Sequence, residues 1–221
     1  MKRIVKTAAP TSFTQWKALA NEDWVPTYAD LQNPEKRDLH EALLAEQGWL
    51  CCYCGRSIEL DDSHIEHFRP QDAHGGWADL QLEYENLHAS CVRETKPDQP
   101  LHCGHAKGSR FEEAAHVSPV SEDCEQRFVY TLSGEEVAAD RQDRAASNMI
   151  ELLNLNVAFL RNRRREALEG AFDDAFLANA SDEKFRELRD LYVPRNVDGR
   201  FESFAHVIAR YANQQLASSP E

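Results

Sequence analysis

Three short stretches of this sequence carry side chains that can hold metals or move protons. The first is Cys51-x-x-Cys54, followed by Gly55, a spacing that lets two thiolates turn onto one zinc ion. Cys91 and Cys103 can complete a four-thiolate set, although they stand far wider apart than a second C-x-x-C. In a reducing compartment such a cluster points to thiol or metal chemistry rather than to a disulfide framework. The bland alternative is four buried thiols packing as small apolar groups. Cys52 is out of phase with the pair, and both it and Cys124 are assigned structural roles.

The second stretch is His64-Ile65-Glu66-His67. On a strand, alternate side chains share a face, so His64 and Glu66 point one way while Ile65 and His67 point the other. Glu66 offers a hard oxygen to a divalent cation. His67 is the candidate general base, because a neutral imidazole can take a proton from water near neutral pH. A surface strand with incidental histidines would explain one of them, not two flanking a carboxylate. The third stretch is Cys103-Gly104-His105-Ala106-Lys107-Gly108. It reads as a short helix that brings His105 to the cation of Glu66 and sets Lys107 beside a phosphate.

Helices and turns must position these groups. A short capped helix is predicted from Ser12, with Phe13, Trp16 and Leu19 on one face. A second runs from Glu35 to Gln47, carries Leu39, Leu43 and Leu44, and stops at Gly48. A strand is expected from Ser63 to Phe68 before Pro70, a turn at Gly75-Gly76, and a second hairpin arm from Asn86 to Cys91. A further hairpin follows, turning at Ser133-Gly134, and then helices: Arg144 to about Phe176 with a break near Asn154 and Asn156, Asp182 to Tyr192, and Glu202 to Leu216. The expected class is α+β, mainly helical. The chain divides into a helical segment over 1–48, a catalytic core over 49–120 and a hairpin-plus-helix region over 121–221.

The 221 residues carry a formal charge of −13. Between residues 56 and 120 alone, 12 acids face 6 bases. Phosphate binding is mainly cationic, so a nucleic-acid substrate would have to be gripped with help from a partner. The N-terminus lacks the apolar run of a signal peptide and no stretch has the length of a membrane span, so the cytoplasm is the expected location.

The order C-x-x-C, H-x-E-H, Asn86-Leu87, Cys91 and C-G-H-x-K-G resembles the zinc-knuckle branch of the HNH endonucleases. The usual pattern there is C-x-x-C, an acid-His pair, Asn-Leu, then C-x-x-C-N-x-x-K-G. Glu66-His67 match the acid-His pair, and Cys103 to Gly108 match the last element. Two departures are visible: an insertion splits the second cysteine pair, and Gly104 replaces the usual Asn, with His105 one place later. The stretches from Lys6 to Tyr28, Leu43 to Gly48, Ser118-Pro119 and Glu151 to Asn156 are similar to the HNH proteins of Septu antiphage systems (PtuB) and of related retrons.

That resemblance implies a ββα-metal fold with a zinc knuckle, and a nuclease effector acting with an ATPase of the PtuA type. In the implied mechanism Mg²⁺ or Mn²⁺ is held by Glu66 and His105, with His64 beside them, and His67 activates water. Asn86 orients His67 or ties the hairpin to the next helix, and Lys107 or Arg110 neutralises phosphate charge. Zn²⁺ on Cys51, Cys54, Cys91 and Cys103 is structural, since four protein ligands leave no open position. DNA is the favoured substrate. RNA is chemically equivalent at such a site, and a non-catalytic nucleic-acid-binding module is the rival of a different class. The run Arg161-Asn162-Arg163-Arg164-Arg165 admits three roles: a nucleic-acid contact, an interface with an acidic partner, or a solvated face neutralised by Glu166 and Glu169.

Overall fold

The computed structural model describes residues 1–71 and 77–218; the Gly75-Gly76 turn lies outside them. The fold is α+β and mainly helical, with two small antiparallel sheets. No helix among the described residues is long and apolar enough to cross a membrane.

Helix α1 spans Thr11–Lys17, with Pro10 at its N-cap and no side-chain cap. Phe13 is buried, but Leu19 is exposed, against expectation. The reason is length: the helix closes at Ala18, so Leu19 leaves the 3.6-residue register that would have placed it beneath Phe13 and Trp16. Helix α2, Glu35–Glu46, opens with Glu35 and Asp38, which suit the positive end of the helix, and buries Leu39, Leu43 and Leu44. Its last carbonyls are met by Arg195, whose guanidinium donates to Ala45 O (2.8 Å) and Glu46 O (2.6 Å).

Strand β1 (Ser63–His67) pairs antiparallel with β2 (Leu87–Cys91), with His64 opposite Ser90 and Glu66 opposite His88. The other edge of β2 is covered from the α2 side. The Gln47 amide donates to Ala89 O (2.9 Å) and accepts from Ala89 N (2.7 Å), so this edge offers no template to another strand. Helix α3 (Cys103–Lys107) lies over the Glu66 face. It is anchored at its start by Cys103 N donating to Leu153 O (2.8 Å). Together β1, β2 and α3 form the expected ββα unit.

Strands β3 (Phe128–Tyr130) and β4 (Glu136–Ala138) form the second hairpin. Its turn holds Gly134 at φ +81°, where a Cβ would collide with the Arg161 carbonyl. Only glycine allows this turn to rest directly on a helix backbone. Five helices follow rather than three: α4 (Arg144–Leu152), α5 (Ala158–Ala171), α6 (Asp174–Asn179), α7 (Asp182–Tyr192) and α8 (Ala205–Ser218). The break between α4 and α5 falls at Asn154, at φ +50°. Just ahead of α8, Phe204 N donates to Gly55 O (2.9 Å), docking this end of the chain on the C-x-x-C turn.

The arginine run divides by burial. Arg161, Arg163 and Arg165 form exposed pairs with Glu135, Glu166 and Glu169, the solvated-face arrangement. Arg164 is fully buried; it donates to Gly134 O (2.8 Å), Leu155 O (2.8 Å) and Asn156 Oδ1 (3.0 Å), and faces Glu136 at 3.5 Å. Loss of Arg164 would strand the buried carbonyls of Gly134 and Leu155 and leave Glu136 only the Met1 ammonium (3.2 Å) as a cation, whereas exposed pairs contribute little. Arg164→Ala is therefore expected to cost about 3–5 kcal/mol of unfolding free energy in urea titrations, and Arg163→Ala less than about 0.5 kcal/mol.

Candidate active site and metal centre

Cys51 and Cys54 sit in a tight turn closed by Cys51 N to Arg56 O (2.9 Å) and Gly55 N to Cys51 O (3.1 Å). Cys91 ends β2 and Cys103 opens α3. These three segments bring all four sulfurs within 4.8 Å of one another, and all four are buried. Thiolates about 2.3 Å from one zinc ion stand roughly 3.8 Å apart at the corners of a tetrahedron, and Cys54 and Cys91 are separated by 3.8 Å. Cys91 N also donates to the Cys51 sulfur (3.3 Å), the kind of contact that favours a thiolate there. Burial alone would raise the Cys51 thiol, but donation from its three neighbours and Cys52 outweighs it and holds Cys51 well below the ordinary value. Cys103, by burial first, is pushed well above it. A shared cation is the physical way to ionise all four. The insertion between Cys91 and Cys103 therefore does not keep the second pair from the first. Cys52 and Cys124 are buried outside the cluster.

The Glu66 carboxylate lies outside this cluster. Its Oε1 accepts from Tyr53 OH (3.0 Å) and pairs with Lys107 Nζ (3.0 Å), and its Oε2 stands 3.4 Å from His64 Nε2. Burial opposes its ionisation, but the His64 and Lys107 contacts prevail and hold the carboxyl below its usual range. His64 is raised in turn: burial lowers it, and the Glu66 and Val92 contacts more than compensate. His105 packs on His64, with ring centroids 4.6 Å apart. Both imidazoles reach one backbone carbonyl, Val92 O, at 2.7 Å from His64 Nδ1 and 2.8 Å from His105 Nε2. The chain at Val92 has φ +69°, which turns this carbonyl between the two rings. The three groups line one cavity of about 390 Å³ with His67 and Lys107. Among the described residues, only the four cysteines are drawn as tightly as a bound ion requires; Glu66, His64 and His105 share a wall but not that closeness.

His67 leaves the strand on the face opposite Glu66. Its ring meets Tyr28 edge-on at 4.5 Å, and its Nε2 reaches Gln81 O at 3.0 Å. A carbonyl can only accept, so Nε2 carries the proton and Nδ1 is the basic nitrogen. Burial lowers the pKa of this ring, which keeps it neutral.

One expected role is relocated. Asn86 touches neither His67 nor α3. It accepts from Arg69 N (2.7 Å) and donates to Arg69 O (2.9 Å) and Leu80 O (3.1 Å). It thus clamps the chain just after β1 to the backbone next to Gln81, whose carbonyl holds His67. Lys107 lines the same cavity, and its buried ammonium also bonds His67 O (2.9 Å) and Gly108 O (3.2 Å) as well as Glu66. Arg110 is exposed and donates to the α3 carbonyls of Ala106 and Lys107.

Sequence reasoning missed Tyr53, Tyr28 and Val92. Tyr53 sits between the two cysteines of the turn and could have been noticed there. Val92 acts through its carbonyl, which no residue type announces. The sense of Gly104 was also missed: a Cβ there would collide with Glu66 Oε2 and stand 2.8 Å from His64 Nε2. The helix can lie on the acidic face only because this residue has no side chain.

No family model matches the chain. A curated relative does. Over 138 residues the chain is 25% identical to a "Retron Vc95 putative HNH endonuclease" of Vibrio cholerae serotype O1 biovar El Tor, a match covering 61% of this chain and 65% of the relative. The match thus spans just under two thirds of that protein's length. It supports the retron-associated HNH branch of the resemblance drawn from the motifs.

Metal analysis of the purified protein is expected to find one zinc ion per chain. Cys91→Ser should lose it together with much of the thermal stability, whereas Cys52→Ser should keep it. Gly104→Ala is expected to retain the zinc yet melt lower, because the new methyl must push Glu66 from its Lys107 and His64 partners; differential scanning calorimetry reads the shift.

Proposed function

We propose that this protein is a metal-dependent endonuclease of the HNH type that hydrolyses phosphodiester bonds, with DNA the favoured substrate. The observation that carries the reading is the shared cavity in which Glu66, His64 and His105 lie on one wall and His67, kept neutral, lies beside them. A binding module would have no use for a nearly buried carboxylate held ionised beside the His64 imidazole. The likeness to the retron Vc95 relative supports the same reading.

Glu66, His105 and His64 would hold Mg²⁺ or Mn²⁺, which when bound would polarise the phosphate and stabilise the departing oxygen. The chain's own groups do the rest. Lys107 and Tyr53 hold Glu66 ionised and fixed in orientation. Gln81 O fixes the tautomer of His67, whose Nδ1 takes the proton of the attacking water. Asn86 locks the backbone beside that carbonyl. The Cys51, Cys54, Cys91 and Cys103 cluster holds Zn²⁺ as a structural staple. In the cell the protein acts in the cytoplasm as the nuclease of a retron- or Septu-type antiphage system, alongside an ATPase of the PtuA type. The acidic balance of the chain, −13 overall, supports a partner that contributes to the grip on substrate.

The test is cleavage of supercoiled plasmid, single-stranded DNA and tRNA in parallel, with Mg²⁺ or Mn²⁺ and without. Wild-type protein is expected to cut DNA only with a divalent ion. His67→Ala is expected to lose about 10²–10⁴ in rate while keeping its zinc and its circular dichroism spectrum. Wild-type cutting by that variant removes His67 from the mechanism, and tRNA cleavage without DNA cleavage moves the substrate to RNA.

A further inference from the structure

A second cavity, about 620 Å³, adjoins the Glu66 pocket at His64. His64 and Ile65 belong to both walls, so the two spaces meet at β1. The lining runs against the charge of the whole chain. Acids outnumber bases 38 to 25 overall, yet this cleft presents Lys36, Arg37 and Arg93 against one carboxylate, Asp61.

None of these cations is tied up in the interior. Lys36 Nζ sits 4.9 Å over the Tyr28 ring, an orientation held by the ring's negative face. Arg93 is more than half exposed and lies at the long limit of ion pairing with Asp61, 3.9 Å. Arg37 pairs with Glu41 on the outer surface of α2 (2.9 Å), where both are largely exposed; such a pair exchanges partners at little cost. The positive field is felt at His40, which also lines the cleft. Burial first, and then His64 and Arg93, push its pKa down to about 4, so the ring stays neutral and bonds Ser63 Oγ at 2.9 Å. Tyr28 spans the junction, with Lys36 over its face and His67 against its edge. It thereby connects the cationic wall to the proposed base.

A cationic, aromatic-edged cleft that opens onto a phosphodiester-cutting pocket suits a polyanionic chain, not an apolar one. We propose that this cleft seats the sugar–phosphate backbone of the substrate strand beside the scissile phosphate, with Lys36 and Arg93 on its phosphates and Arg37 at the mouth. This inference rests on the nuclease reading. It names the chain's own share of the grip on substrate.

The test uses the full-length protein with a short fluorescein-labelled single-stranded DNA, read by anisotropy over a salt series in buffer free of Mg²⁺ and Mn²⁺. Lys36→Glu and Arg93→Glu are compared with Lys184→Glu, an exposed lysine on α7. The two cleft variants are expected to bind several-fold more weakly, and their slope of log affinity against log salt should flatten by about 0.7 for each phosphate that is no longer neutralised. Lys184→Glu should match wild type. Equal weakening in all three variants means a diffuse charge effect and overturns the proposal; so does cleft-variant binding and cutting at wild-type level. A free mononucleotide that competes as well as the oligonucleotide would replace a backbone seat with a nucleotide pocket, and also overturns it. If the wild type cuts nothing with any divalent ion while the cleft variants still bind more weakly, the nuclease reading fails and the cleft stands.

Discussion

Four sulfur atoms must meet at one point, and most of the catalytic half follows from that constraint. The C-x-x-C turn, the end of β2 and the start of α3 have no continuous hydrophobic sequence in common, yet each contributes to the same junction. Once Cys91 and Cys103 are fixed there, the chain between them has to leave and return over a short distance. It does so with Val92 in the left-handed region. The carbonyl thrown inward by that turn holds both His64 and His105. The sulfur junction thus sets the imidazoles without touching them, and it does so through backbone geometry.

The position of helix α3 dictates the identity of one residue. A helix of five residues buries little and cannot stand on propensity. It is held at its first residue by the cysteine cluster and Leu153 O, and at its last by the Lys107 ammonium. Between these pins it crosses Glu66 so closely that only Gly104 fits. The Asn usual at this place in the HNH pattern would not clear the carboxylate here. His105, one position on, is turned toward His64 instead.

How much of this was legible in the sequence depends on what carried the information. The main strands and helices were legible from periodicity, though not all their boundaries, and the alternation along β1 separated His64 and Glu66 from His67. The four-cysteine set was legible because thiols of this spacing have few other uses in a reducing compartment. Asn86 was misread because it was given a role by type, an amide for a neighbouring ring, and the type of Lys107 did not announce its pairing with Glu66. The structure commits both to the backbone and, for Lys107, to Glu66, because burial without such partners would be costly. Arg164 shows the same rule within the Arg161–Arg165 run. One-dimensional charge patterning cannot tell which of four arginines faces inward; the close approach of the Gly134 turn to α5 decides it.

That commitment bears on how an acidic chain could hold a polyanion at all. Keeping Glu66 ionised in a nearly closed site requires a permanent cation beside it, and Lys107 is held to that task with no exposed surface left over. A group so placed is not free to move onto a phosphate, since leaving Glu66 would strand its charge in the interior. Charge for the substrate must come from side chains that remain in water. On the proposed reading Lys36, Arg37 and Arg93 supply it, where α2 and the residues after β2 face each other across His64. The cation that tunes the carboxylate and the cations proposed to meet the strand are thus separate sets. A partner would then need only to extend a grip that begins at Lys36 and Arg93.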